Sequence, residues 1–252
     1  MYREGASYYD FLMSEAPYAR WKKWVDERLR IEQKTGTQSI LDVGCGTGTF
    51  MSLMMQDGHD ATGVDVSEEM LAIADSKIRR DTNQVPQLSC QNMAELSMPQ
   101  TYDVITVLCD SLNYVIEEQD VQQALQKFYE HLNHDGLLLF DVHSILKMTE
   151  EFPGFSYGDN DPAQSLIWNS FAIEDVHGAV EHELSFFEET STGLYKRYDE
   201  LHTQRSFSIE TYSTWLEEAG FTEVSVVADF NHERASDQDE RIFFIAKKQI
   251  DQ

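Results

Sequence analysis

Residues 39–65 read SILDVGCGTGTFMSLMMQDGHDATGVD. A short apolar run (Ile40, Leu41, Val43) leads into Gly44, Gly46 and Gly48. Phe50, Leu53 and Met54 then recur at helical spacing, Gly58 stops that pattern, and a second apolar run ends on Asp65. The order is strand, glycine turn, helix, strand, acid, which is one half of a nucleotide-binding βαβ unit. Glycine has no Cβ, so the main chain at Gly44 and Gly46 can turn tightly and approach a ligand closely. The helix that follows begins with unpaired N–H groups. Asp65 falls about 20 residues beyond the first glycine, at the carboxyl end of the second strand, where a carboxylate can accept two ribose hydroxyls.

The glycine spacing separates two enzyme classes. A dinucleotide site wants G-x-G-x-x-G or A, and here the sixth position is Thr49. LDVGCGTG, residues 41–48, resembles motif I of the class I S-adenosyl-L-methionine (SAM) methyltransferases. GVDVSEEML, residues 63–71, resembles that family's next motif. The resemblance implies SAM as cofactor, with Asp42, Gly44, Cys45, Gly46, Asp65 and Val66 as cofactor-binding positions and Asp65 as the ribose acid. It also implies a fold: a Rossmann-like, seven-stranded, mostly parallel sheet flanked by helices.

The chain has 252 residues, 41% hydrophobic and 25% charged, an ordinary globular composition with room for one large α/β domain and an elaboration. The longest apolar runs, such as residues 136–140, are far short of the ~20 residues that span a bilayer. The opening stretch MYREGASYYDF carries acids and lacks the apolar core of a signal peptide. The three cysteines, Cys45, Cys90 and Cys109, each fall in or beside an expected strand. They read as buried thiols in a reducing cytoplasm rather than a disulfide or metal set. A net charge of −26 repels phosphate backbones and anionic lipid, which disfavours a nucleic-acid substrate or a membrane partner.

Along the chain, YARWKKWVDERLRIE (residues 18–32) is an amphipathic helix, with Tyr18, Trp21, Val25 and Leu29 three or four apart. In the resembled family such a helix covers the SAM pocket, which suggests Tyr18 and Trp21 as lid contacts. Residues 67–81 read as a helix capped by Ser67, and 87–91 as a third strand. In the family the next slot carries an acid for the adenine amino group and then an apolar residue over the ring. Here Asn92 replaces the acid and Met93 follows. YDVITVL (residues 102–108) is a strand buried on both faces, ending in Cys109, Asp110, Ser111, Leu112, Asn113 and Tyr114. The resemblance places Cys109 against the methionine part of SAM, with Asp110, Asn113 and Tyr114 toward the methyl group. After a helix over 118–132, strand 137–142 leads to His143, a general-base candidate.

Residues 150–161, with Pro153, Gly154 and Gly158, read as a loop. Strand-like, aromatic-rich stretches at 164–175, 179–189 and 194–207 follow, separated by hairpin turns. They predict a three-stranded antiparallel insertion, which in the resembled family serves as substrate lid or homodimer surface. Its polar and aromatic group, Tyr195, Arg197, Tyr198, Glu200, His202 and Arg205, offers side chains to read a substrate. A helix over 208–220, with Ser208 as cap and Gly220 as stop, and strands at 221–230 and 241–247 complete the sheet. The organisation expected is a helical lid over 1–35, a SAM-binding core over 36–150, the insertion over 151–207 and the end of the core sheet over 208–252.

The expected activity is SAM-dependent methyl transfer to a small-molecule acceptor. Asp110, Tyr114, His143 and His202 are the base or orienting candidates, and no metal is called for. An RNA or protein methyltransferase and a non-catalytic SAM-binding sensor or assembly factor stay open as alternatives.

Overall fold

The computed structural model describes Met13 and residues 16–160, 164–190, 192–231 and 233–249; the opening stretch MYREGASYYDF lies outside the described residues. Strand β1 (Ser39–Val43) lies in the interior of a seven-stranded sheet of order β10-β11-β5-β4-β1-β2-β3. Its parallel neighbours are β2 (Asp60–Asp65) on one side and β4 (Tyr102–Val107) on the other. β3 (Gln87–Cys90) and β5 (Leu132–His143) extend the parallel set outward. β11 (Arg241–Lys247) runs antiparallel to β5 and carries β10 (Glu223–Ala228) at the edge. Strand order therefore reverses between β1 and β4, and their carboxyl ends open the crevice where ligands bind in such sheets.

The strands read as nearly continuous apolar runs because both faces are covered. Ile40, Val104, Leu139 and Phe243 face α1 (Tyr18–Ile31), α2 (Thr49–Gln56) and α3 (Glu68–Thr82). The alternate residues Leu41, Ile105, Phe140 and Phe244 face α4 (Glu118–His131) and α5 (Ile209–Ala219). Local signals behave as read. Ser67 Oγ accepts from Met70 N–H at 3.2 Å, Ser208 Oγ from Thr211 N–H at 3.1 Å, and Gly220 ends α5 in the left-handed region. Cys45 is buried, but Cys90 is exposed, because β3 is the sheet edge. Among the described residues no helix is long and apolar enough to cross a membrane.

The insertion is a separate antiparallel sheet of four strands, not three, in the order β6-β7-β8-β9. Its strands are β6 (Ser156–Asn160), β7 (Gln164–Ala172), β8 (Ala179–Glu189) and β9 (Tyr195–Arg205). β6 falls in the expected loop. It is an edge strand exposed along its whole length, so it has no alternation to read.

Asn113 joins this sheet to the core. Its Oδ1 accepts from His143 N–H at 2.9 Å and its Nδ2 donates to Arg205 O at 2.8 Å. Ser206 Oγ adds a bond to His143 O at 2.5 Å. Asn113 is fully buried, so it does not face the methyl group as expected. Arg205 is likewise occupied, donating to Ile116 O at 3.1 Å and pairing with Glu118 at 3.2 Å. Replacing Asn113 by Ala strands a buried N–H and a buried carbonyl. The expected loss is about 2–4 kcal/mol of unfolding free energy in urea titrations; a change below about 0.5 kcal/mol would remove the joint from the account.

Candidate active site

The glycine turn folds by curling over the end of β2. Gly44 N–H and Cys45 N–H both donate to Val64 O, at 2.7 and 3.0 Å. Gly44 has φ +71°, and a Cβ there would lie 2.6 Å from Ser111 Cβ, so no side chain fits. Gly46 N–H then donates to Asp65 Oδ2 at 2.9 Å, and Ser67 N–H to Asp65 Oδ1 at 2.9 Å. The carboxylate is thus clamped between the turn and the start of α3, each oxygen keeping acceptor capacity. Burial pushes its pKa up, opposed by those backbone N–H groups. Nearby, Asn92 Oδ1 accepts from Ala94 N–H at 3.0 Å, so part of the capacity expected for adenine goes into its own turn.

Beyond β4 the chain makes an unusual bend. Cys109 and Asp110 both lie in the left-handed region, φ 56° and 51°, which non-glycine residues seldom adopt. Asp141, at the end of β5 and fully buried, holds them there. Its carboxylate accepts from Cys109 N–H at 2.9 Å, Asp110 N–H at 3.2 Å, Trp21 Nε1 at 2.9 Å and Arg241 Nη1. Arg241 also pairs with Asp110 Oδ1 at 2.9 Å, and Gln204 Nε2 donates to Asp110 Oδ2 at 2.8 Å. Burial alone would raise the Asp110 carboxyl, but His143 and Arg241 hold it well below the usual range.

A cavity of about 510 Å³ opens above these two turns. From the core it is lined by Gly44, Gly46, Asp65, Val66, Asn92, Met93, Cys109, Asp110, Ser111, Tyr114 and His143. The inner face of the second sheet and the segment leading to it add Phe152, Trp168, His182, Leu184, His202 and Gln204. Tyr18, Trp21, Asp42 and Cys45 are not among the lining residues. Trp21 lies under the floor, 3% exposed and bonded to Asp141, with Tyr18 packed on it at 6.0 Å, so it is not a lid contact.

Sequence reading missed Asp141, Arg241, Phe152, Trp168, His182 and Gln204. The period-2 spacing of His182 with Leu184, and of His202 with Gln204, marks one face of each strand, but not that this face turns toward the cavity. His182 is fixed. Its Nδ1 accepts from Trp168 Nε1 at 3.2 Å and lies 2.7 Å from Ser170 Oγ, so the hydrogen is on Nε2, 3.2 Å from Gln204 Oε1. Burial lowers its pKa to about 4. Burial lowers that of His143 too. His202 Nε2 lies 2.9 Å from Glu200 Oε2, and the Tyr114 ring stands edge-on to His202 at 5.9 Å.

Asp42 lies below the cradle and accepts from Thr106 Oγ1 at 2.8 Å. Burial, reinforced by Asp65, pushes its carboxyl from 3.8 up to about 7. A folded-state pKa above the unfolded one means that the folded chain binds more protons in between. The contribution is therefore full below about pH 4 and lost as pH rises through about 7. Asp42→Asn keeps an acceptor for Thr106 and removes the titration. Urea unfolding of the variant should show a flatter pH dependence over that window and greater stability than wild type above it, by on the order of a few kcal/mol. Parallel curves for the two proteins would contradict the assignment.

A model of the methyltransferase domain matches residues 40–136. A relative from Geobacillus sp. (strain WCH70), named as a methyltransferase, is 45% identical over 98% of this chain and 99% of its own. The crystal structure of a SAM-dependent methyltransferase from Clostridium acetobutylicum ATCC 824 matches with a TM-score of 0.86 at 27% identity, covering 97% of each chain. A SAM-bound amino pentose methyltransferase from Micromonospora echinaspora matches with a TM-score of 0.74 at 18% identity, over 99% of this chain and 98% of that one, a likeness of fold. With the cradle that motif I requires, and that degree of identity along almost its whole length, the chain belongs to the class I SAM-dependent methyltransferases, with SAM as its cofactor.

Proposed function

We propose that the protein transfers the methyl group of SAM to a small molecule held under the second sheet. The observation that carries this reading is the continuity of the cavity: one space runs from the glycine cradle to a chamber roofed by Trp168, His182, Leu184 and His202. A roofed chamber of this size suits a small acceptor better than a polymer. The fold shared with an amino pentose methyltransferase supports the same choice. The three free thiols suit a reducing cytoplasm.

The residues present fit SAM. Gly44 and Gly46 would let the nucleoside approach the main chain, and the clamped Asp65 would take the ribose hydroxyls. Met93 would cover the adenine, and the Cys109–Ser111 bend would lie along the methionine portion. When bound, SAM supplies a methyl group on a sulfonium, open to in-line displacement. The chain's task is then mostly to hold an acceptor about 3 Å away and aligned. Phe152, Trp168 and Tyr114 give the chamber aromatic walls, and Asp110, locked by Arg241 and Gln204, is an orienting acceptor of hydrogen bonds rather than a base.

Labelled-methyl transfer into cell extract, split into small-molecule and polymer fractions, tests the proposal, and label appearing only in polymer would overturn it. By calorimetry, Asp65→Ala should weaken SAM binding by about 1.5–3 kcal/mol. Trp168→Ala should leave SAM affinity unchanged and slow methyl transfer by about 10- to 100-fold. Equal rates for Trp168→Ala and wild type would remove the second sheet from the acceptor site.

A further inference from the structure

This inference rests on reading the cavity as the methyl-transfer site, and it concerns the chemical class of the acceptor. Three histidines line the cavity, and each has its ring nitrogens bonded or buried. His182 accepts at Nδ1 from Trp168 and Ser170 and donates from Nε2 to Gln204. His143 directs Nε2 at Asp110 Oδ1, 3.5 Å away, and its Nδ1 is buried. His202 Nε2 is 2.9 Å from Glu200 Oε2, and its Nδ1 is buried as well. Asp110 is faced by Arg241 from β11, His143 from β5 and Gln204 from β9. Arg241 and His143 keep it ionised, so it accepts hydrogen bonds without taking a proton. Asp65 is clamped by Gly46 and Ser67 on the cofactor side, and Glu117 and Asp120 sit exposed at the rim. Tyr114 adds a phenol, and Cys109 a thiol whose pKa burial pushes up. Among the described residues, the acceptor half of the cavity thus holds no carboxylate or imidazole placed to take a substrate's proton.

We infer that the acceptor is an amine that enters and reacts uncharged, with no side chain of the protein taking its proton. An uncharged amine already carries its nucleophilic lone pair. That pair forms the new N–C bond, the S–C bond to the methyl breaks with its electrons left on sulfur, and the positive charge passes from sulfonium to ammonium. The methylated ammonium gives its proton to water after release, so the protein's own proton count never changes. A hydroxyl acceptor is different: it must lose its proton as the bond forms, and that needs a base within about 2.6–3.2 Å. A carboxylate or phosphate acceptor needs no base, but it would be desolvated without a counter-charge, because the lining holds no lysine or arginine among the described residues. The walls suit the uncharged form, since burial against Phe152, Trp168 and Leu184 penalises an ammonium. Asp110 does not force a proton onto the amine, because Arg241 at 2.9 Å already matches its charge. Its remaining acceptor capacity takes an N–H of the amine and so aims the lone pair.

The test uses the full chain and a panel of small primary and secondary amines of graded basicity, each matched with its alcohol and its carboxylate. Labelled-methyl transfer should occur to amines alone. For each amine, kcat/KM should rise about tenfold per pH unit and level off at that amine's own pKa, so the plateau moves from one amine to the next. A plateau at one fixed pH for every amine would reveal a base on the protein and overturn the inference. In Asp110→Asn the plateau should stay where it is while kcat falls by about tenfold; a shifted plateau would give Asp110 the proton and overturn it too. Binding provides a readout apart from turnover. With S-adenosylhomocysteine bound, calorimetry of an accepted amine below its pKa, in buffers of different ionisation enthalpy, should find about one proton released to solvent per amine bound. No release means that the amine binds as an ammonium or that the protein keeps the proton, and either overturns the inference. Transfer to alcohols or carboxylates, or to no amine, overturns the substrate class. Failure of wild type to bind SAM would instead overturn the reading of the cavity on which this one rests.

Discussion

The carboxylate of Asp141 draws four donors from three separate parts of the chain: the indole of α1, two successive backbone N–H groups at the exit of β4, and the guanidinium that opens β11. Burying an ionised group is expensive unless it is paired and fully hydrogen-bonded. Here the arginine supplies the opposite charge, and the remaining donors satisfy the other lone pairs. Two consecutive left-handed residues cost on the order of 1–3 kcal/mol each, and the two backbone bonds to Asp141 stabilise that bend. The bend in turn sets the floor of the cavity. It brings Ser111 against Gly44, where Ser111 Oγ lies 3.3 Å from Gly44 O, so the two turns that frame the cradle are fixed relative to each other.

The same charge cluster reaches the roof. Arg241 bridges Asp141 and Asp110, Asp110 accepts from Gln204, and Gln204 takes the hydrogen of His182, whose other nitrogen is held by Trp168 and Ser170. In a low-dielectric interior each bond in such a series strengthens its neighbour, and a broken member leaves a buried group unsatisfied. The second sheet is therefore held over the cradle by a polar series through Gln204 as well as by the Asn113 joint. Its apolar contacts, Leu166, Leu184 and Phe186 with Trp168 and Tyr198, form a small cluster of their own.

What the sequence made legible was whatever local sterics decide. The glycine turn, the Ser67 and Ser208 caps, the Gly220 stop and the two-faced apolar strands follow from neighbours a few residues apart. What it hid were partners far along the chain. Trp21 sits correctly on the inward face of its helix, yet its partner Asp141 lies 120 residues away, and nothing local distinguishes a lid contact from a floor contact. Asn113 belongs to a polar cluster at a strand end, which suggests chemistry, but both ends of its amide are taken by distant backbone. β6 carries no alternation because both of its faces are exposed. His182 and Gln204 have the right period, but whether that face meets the cavity or solvent depends on how the sheet docks.

The two halves of the cavity are built from different materials. The cradle is mostly main chain: glycines, N–H groups and one clamped carboxylate, held by contacts that tolerate little change. A Cβ at Gly44 has no space, and Gly48 is nearly as tight, with Ala74 Cβ 3.0 Å from where its own Cβ would be. The chamber is mostly side chain, carried on strands whose register is set by backbone pairing rather than by the residues that project inward. Trp168 and Leu184 are exchangeable without disturbing the cradle, because neither bonds to it. Gln204 is not, because among the described residues its amide is the side-chain hydrogen bond from the roof to Asp110, and hence to the bend beside Gly44. Acceptor chemistry is thus adjustable in this architecture at roof positions other than His182 and Gln204, whose bonded pair also braces the floor.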